Sequence, residues 1–197
     1  MITENFFRFS ILVILLIGFT YSGFVRRKAN QSSDDQITFD DEPRWIYRLR
    51  VGGALLGYGG LLAYLIRPAW MAWGSFPAPT WLRLTGLGIC LVMMPLLLWM
   101  LHTLGNNITP TVVTREAHNL ITEGPYRYIR HPLYTFGGLQ FVGVSLAIAN
   151  WWVLLWLMAA MVALVKRTSI EEERLLATFG DEYRDYMQTT GRFLPRF

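Results

Sequence analysis

Apolar positions in this chain gather into five long runs separated by short polar segments: about Phe9–Val25, Val51–Ile66, Leu84–Leu104, Leu133–Ala149 and Trp151–Val165. A helix of ~17–25 apolar residues crosses the hydrocarbon core of a bilayer. The second and fifth runs are short and need flanking residues to complete a span. Asn150 alone separates the fourth from the fifth, so these two predict a tight helical hairpin. The second run is rich in glycine, and Gly53-x-x-x-Gly57 would admit a neighbouring helix at close range, although glycine is also simply common in membrane helices. Pro95 lies inside the third run, where a kink is expected. Trp70, Trp73, Trp81, Trp151 and Trp152 cluster near run ends on one side, as an interfacial aromatic belt does.

Composition agrees with this pattern. Hydrophobic residues make up 53% and charged residues 16%, against about 25% charged in soluble domains, and the mean hydropathy is +0.30. A disordered or collagen-like chain is excluded, and an ordinary soluble enzyme is disfavoured. The expected fold is an all-α polytopic membrane helix bundle of about five transmembrane helices with a cytoplasmic C-terminal amphipathic helix. Residues 1–104 would hold the first three spans with an inner polar loop at 26–50. Residues 105–197 would form a catalytic half, with a cytoplasmic loop, a hairpin at 133–167 and the C-terminal helix.

Charge sets the orientation. The net charge is +4, from 18 Lys+Arg and 14 Asp+Glu. With such apolar runs the membrane surface is the expected partner of this basic balance, and no nucleic acid is expected. Residues 26–50, 105–132 and 166–197 carry 15 of the 18 cations, and Arg8, Arg67 and Arg83 are the other three. By the positive-inside rule the first group is cytoplasmic, with the N-terminus outside and the C-terminus inside. Arg26, Arg27 and Lys28 follow the first run rather than precede it, and no Ala-x-Ala site follows, so it reads as a retained helix rather than a signal peptide. Cys90 is the single cysteine, which excludes an intrachain disulfide and a cysteine-based zinc site. No metal is expected.

Two polar segments remain for chemistry, 105–135 and 166–197. The first ends in Arg130-His131-Pro132-Leu133-Tyr134, at the mouth of the fourth run. Pro132 suits a first helical turn, whose free N–H groups can hold a carboxylate or a ribose oxygen. The same residues also suit plain interfacial anchoring. The second segment follows the fifth run. Leu175, Leu176, Phe179, Tyr183, Tyr186 and Met187 recur at helical spacing, while Ser169 to Glu172 fits a capping box. Acids in such a helix often form only a solvated face. The hairpin makes the two segments neighbours, however, so Arg-His-Pro-x-Tyr would face Glu171-Glu172 at the membrane edge, a functional-site arrangement.

This ordered set resembles the isoprenylcysteine carboxyl methyltransferases and their phospholipid methyltransferase relatives. The matching pieces are Asn107 after Leu104-Gly105, His118 through Tyr126, Arg130-His131-Pro132-Leu133-Tyr134, Glu171-Glu172-x-x-Leu175, Phe179-Gly180-x-x-Tyr183-x-x-Tyr186 and Arg192-Phe193-Leu194-Pro195. They cover about residues 104–197. The resemblance implies a membrane enzyme that uses S-adenosylmethionine without a Rossmann domain, and no G-x-G-x-x-G motif is present. It implies a cofactor site made by His131, Pro132, Tyr134, Glu171 and Glu172, with His118 and Tyr126 from the preceding loop. Many relatives carry glycine where this chain has Phe136.

The expected reaction is methyl transfer to a lipid-like or prenylated acceptor that reaches the site from the surrounding membrane lipids. A carboxylate acceptor is already ionised and needs a cation to place it; Arg130, Arg127 and Arg192 are the candidates, in that order. An amine acceptor would need a base such as His118 or Glu123. Glu173 points away on a helix and serves as a control. The alternatives are a phospholipid-amine N-methyltransferase, an NADPH-dependent membrane reductase and a non-catalytic membrane scaffold.

Overall fold

The computed structural model describes residues 3–31, 43–105 and 120–196. Among them are six α-helices: α1 (Glu4–Gln31), α2 (Arg44–Ile66), α3 (Thr80–Leu104), α4 (Pro132–Ile148), α5 (Trp151–Phe179) and α6 (Asp181–Thr189), with short 3-10 segments at Pro68–Gly74 and Gly124–Arg127. Four helices, α1, α2, α3 and α5, are long and apolar enough to cross a membrane. The short apolar runs at 51–66 and 151–165 are completed by their flanks, as the pattern required. The short member is instead α4, whose 17 residues extend about 25 Å at 1.5 Å per residue.

Three contacts hold the bundle. α3 lies along α4, α2 lies along α5, and α1 closes against α3. Phe7, Ile11, Leu61, Val144 and Leu157 are fully buried in the common core. Leu55, Leu62, Leu91 and Val92 are exposed, as apolar side chains facing lipid must be.

Glycine explains the α2–α5 contact. A Cβ on Gly53 would lie 2.9 Å from the backbone N of Ala160 and 2.9 Å from the O of Trp156, and one on Gly57 would lie 2.7 Å from a methyl of Leu157. The close-approach reading of this pair is therefore the one the structure supports, whereas Gly52 and Gly59 have open space around them. α3 runs through Pro95 as one continuous helix.

One end of the bundle is tied by charge. Arg83 pairs with Glu4 at 2.7 Å and donates from Nε to the Ala147 carbonyl at 2.8 Å. Arg8 donates to the carbonyls of Leu65 and Ile66. The start of α1, the end of α2, the start of α3 and the end of α4 thus meet at this end. Here too is the hairpin turn. Asn150 caps α5 by accepting from the Val153 N–H at 3.2 Å and donates to the Met71 carbonyl at 3.0 Å. Trp73, Trp151 and Trp152 pack edge to face beside it.

The C-terminal amphipathic helix is present as α6, nine residues long, but it starts later than the apolar spacing from Leu175 suggested. α5 continues to Phe179, and the chain breaks at Gly180, whose φ of +55° favours glycine. Ser169 and Glu172 consequently lie inside a continuous helix and form no capping box, because there is no helix start there to cap.

Candidate active site

The other end of the bundle carries the polar chemistry. Ile129 forms an isolated parallel bridge with Gly191, so the segment leading into α4 lies alongside the tail returning from α6. Arg130 N–H donates to the Gly191 carbonyl at 2.9 Å and His131 N–H to the Arg192 carbonyl at 3.1 Å. His131 is the residue before α4, and buried Pro132 opens its first turn. The Thr135 hydroxyl fixes the tail again by donating to the Phe193 carbonyl at 2.6 Å.

α5 exceeds the span it makes. Its 29 residues extend about 43 Å, so the charged stretch from Lys166 projects beyond the ~30 Å hydrocarbon core. Glu171 and Glu172 lie on this projection and meet the start of α4. Tyr134 OH donates to Glu171 Oε2 at 2.8 Å, and His131 Nδ1 lies 3.8 Å from the same oxygen. His131 Nε2 lies 3.1 Å from Glu172 Oε1. The His131 and Tyr134 rings stack with centroids 5.5 Å apart, and Phe193 leans on both.

The two carboxylates differ. Glu172 is 4% exposed and its oxygens are fully engaged. Arg130 donates from Nε to Oε1 at 3.1 Å, with a second guanidinium nitrogen also at 3.1 Å, and Arg192 donates twice to Oε2, from Nε at 3.0 Å and from a terminal nitrogen. Burial opposes ionisation of Glu172. The hydrogen bonds from His131 and Arg192, and the charge of Arg130, outweigh it and hold its carboxyl down at about 2. Glu171 is more open, at 30% side-chain exposure, and Tyr134 donates to one of its oxygens. Glu173 is exposed on the opposite face.

The three arginines proposed for the acceptor have separate surroundings. Besides Glu172, Arg130 serves the carbonyls of Met187 at 3.0 Å and of Thr190. Arg192 serves Glu172, which raises its own pKa further through that hydrogen bond. Arg127 is exposed on the 3-10 turn, and its carbonyl accepts from Thr190 at 3.5 Å. Tyr126 sits on the same turn. Its phenol is pushed up by burial and then by the charge of Glu171, and its carbonyl accepts from Tyr186 OH. His118 lies outside the described residues. Two residues absent from the sequence-based set stand close to the acid pair. The Tyr183 hydroxyl is buried without a partner and feels the charges of Glu172 and Glu171. Arg167, one turn before Glu171, is 7% exposed and its Nε is unpartnered. The spacing of Tyr183 from Tyr186 could have signalled the first. Arg167 had only the signal of any membrane-flanking cation.

The fold and site define an all-helical integral membrane protein with a buried polar clasp where two helices leave the bilayer. A family model described as phospholipid methyltransferase matches residues 81–182, more than half of the 197 residues, and the chain belongs to this family. It is similar to the protein-S-isoprenylcysteine O-methyltransferase of Tribolium castaneum, with 30% identity over 58% of this chain and 42% of that one. It is also similar to the cobalt-zinc-cadmium resistance protein CzcN of Cupriavidus metallidurans, with 34% identity over 62% and 53%. The chain thus spans about half the length of these relatives. Among solved structures, it is similar to a eukaryotic intramembrane Ras methyltransferase, isoprenylcysteine carboxyl methyltransferase, with a TM-score of 0.61 and 25% identity, covering 98% of this chain and 68% of that one.

Proposed function

We propose that this protein transfers a methyl group from S-adenosylmethionine to the carboxylate of a lipophilic acceptor of the isoprenylcysteine type. The observation that carries the reading is the contact of α4 with α5 at the membrane edge, Tyr134 on Glu171 and His131 on Glu172. The donor set fits the cofactor. Glu171 is a partly open carboxylate, and the buried Tyr183 hydroxyl, which feels its charge, lacks a partner, which suits a ligand offering ribose hydroxyls and an ammonium group. Bound S-adenosylmethionine supplies an electrophilic methyl group on a sulfonium.

The chain's own residues then have distinct tasks. Glu171, Tyr134, His131 and Tyr126 hold and orient the cofactor, with Pro132 fixing the helix start. Glu172 has no oxygen left for a ligand and instead anchors Arg130 and Arg192, which keep the tail folded over the site. A carboxylate acceptor has a pKa near ~4 and needs no base, so the remaining requirement is in-line placement. The charged end of the bundle faces the cytoplasm, because 15 of the 18 cations lie in its segments. That end would admit a water-soluble cofactor, and the bilayer side an apolar acceptor.

The test is methylation by the detergent-solubilised protein with labelled S-adenosylmethionine and N-acetyl-S-farnesylcysteine. The expected product is a methyl ester that releases labelled methanol in base. Base-stable label on phosphatidylethanolamine, with none on the prenylated acid, would instead support an amine acceptor. That second reading is favoured by the description of the family model, and it requires a base, for which exposed Glu123, three residues before Tyr126, is the candidate.

A further inference from the structure

We propose that Gln140 selects an acceptor whose apolar tail carries a hydrogen-bonding group, in the simplest case a hydroxyl, at mid-depth in the bilayer. The inference rests on the carboxyl-transfer reading above and specifies the acceptor's tail. Gln140 is the midpoint of α4 (Pro132–Ile148), about 12 Å deeper than Pro132. It is 5% exposed, and neither its side-chain oxygen nor its side-chain nitrogen has a hydrogen-bond partner. Ser145 and Asn150, buried further along the same hairpin, are satisfied: Ser145 donates to the Asn150 carbonyl at 2.7 Å, and Asn150 bonds the Met71 carbonyl and the Val153 N–H. A buried amide that pairs with nothing has given up its hydration without return, and polar groups held inside a membrane bundle mark substrate paths.

Gly137 connects this amide to the site. It lies three residues before Gln140, on the same face of α4 and one turn nearer the Tyr134–Glu171 contact. It contributes no side chain, and a Cβ placed there would meet the Met161 methyl at 3.4 Å and a Leu133 methyl at 3.9 Å. Met161 is unbranched and adapts readily to a new neighbour. A tail lying along this face runs from the Tyr134–Glu171 contact down to Gln140. The amide offers two N–H donors and a carbonyl acceptor, and a hydroxyl matches both functions. A plain hydrocarbon tail matches neither, and a site built to bond a hydroxyl discriminates strongly against the analogue that lacks it.

The experiment compares N-acetyl-S-geranylcysteine with its derivative hydroxylated at the far end of the geranyl chain, as ligands of the solubilised full chain, alongside S-adenosylmethionine binding and thermal unfolding. Wild-type protein is expected to bind the hydroxylated acid at least fivefold more tightly. Q140M, apolar and close in length, should reverse that preference toward the hydrocarbon tail. Its S-adenosylmethionine affinity should stay within twofold, and it should unfold no lower than wild type. If Q140M does not fold, Q140L carries the same test. A wild type that binds S-adenosylmethionine but does not prefer the hydroxylated acid would overturn the proposal. So would an unchanged preference in the folded variant, which together with a lowered unfolding temperature would assign Gln140 to helix packing. A wild type that binds S-adenosylmethionine and neither acid would contradict the carboxyl-acceptor reading, and one that does not bind S-adenosylmethionine would contradict the methyltransferase reading itself.

Discussion

His131 Nε2 lies 3.1 Å from Glu172 Oε1, a contact that joins the first residue before α4 to the projecting end of α5 across 41 positions of sequence. The same carboxylate binds Arg130 and Arg192. Glu172 is thereby the point at which α4, α5 and the C-terminal tail are fastened together. Removing one partner of a buried pair leaves an uncompensated charge and costs about 3–5 kcal/mol. E172Q should therefore lower the thermal unfolding temperature and release the tail, seen as faster amide exchange at Gly191–Phe193. E171Q should unfold close to wild type. Equal destabilisation by the two substitutions would show that Glu172 has no special anchoring role.

Acid should open the same clasp within a defined window. The Glu172 carboxyl titrates at about 2 in the folded protein against 4.5 for the free side chain. A depressed pKa contributes stability that is complete above the unfolded value and is lost as pH falls through the folded one. Tail protection should hold at neutral pH and decline between about 4.5 and 2. In E172Q that pH dependence should be absent. An unchanged decline in E172Q would assign it to other groups.

The glycine contact between α2 and α5 should be intolerant of side chains. G53A forces a Cβ to within 2.9 Å of two backbone atoms of α5, and overpacking of this kind costs about 1–3 kcal/mol. G52A meets nothing within 4 Å and should stay within ~0.5 kcal/mol of wild type. Thermal unfolding in one detergent compares them directly. Similar stability of G53A and G52A would mean that α2 and α5 do not approach as closely as this.

Much of this organisation was legible in the sequence because it follows from short-range patterns. Apolar runs locate the spans, and the single residue Asn150 between two of them forces the hairpin. The hairpin in turn brings Arg130–Tyr134 to Glu171–Glu172. What escaped the sequence depends on long-range or irregular geometry. The pairing of Arg130 and His131 with Gly191 and Arg192 joins two irregular segments that have no periodicity of their own. The competition that makes Glu172 an anchor and leaves Glu171 open is invisible in two identical adjacent letters. Ser169 and Glu172 have the spacing of a capping box, but α5 overrides it by continuing to Gly180. Arg167 resembles any cation flanking a span until its burial is known.

Equilibrium binding of labelled S-adenosylmethionine to the detergent-solubilised full chain tests the central claim most directly. Wild type and E173Q should bind with affinities within about twofold of each other, since Glu173 is exposed away from the site. E171Q should lose at least tenfold while its unfolding temperature is preserved, because Glu171 is the open carboxylate beside Tyr134. H131A should lose binding as well. Binding unchanged by E171Q, or lost equally in E171Q and the folded E173Q, would contradict a cofactor site between α4 and α5.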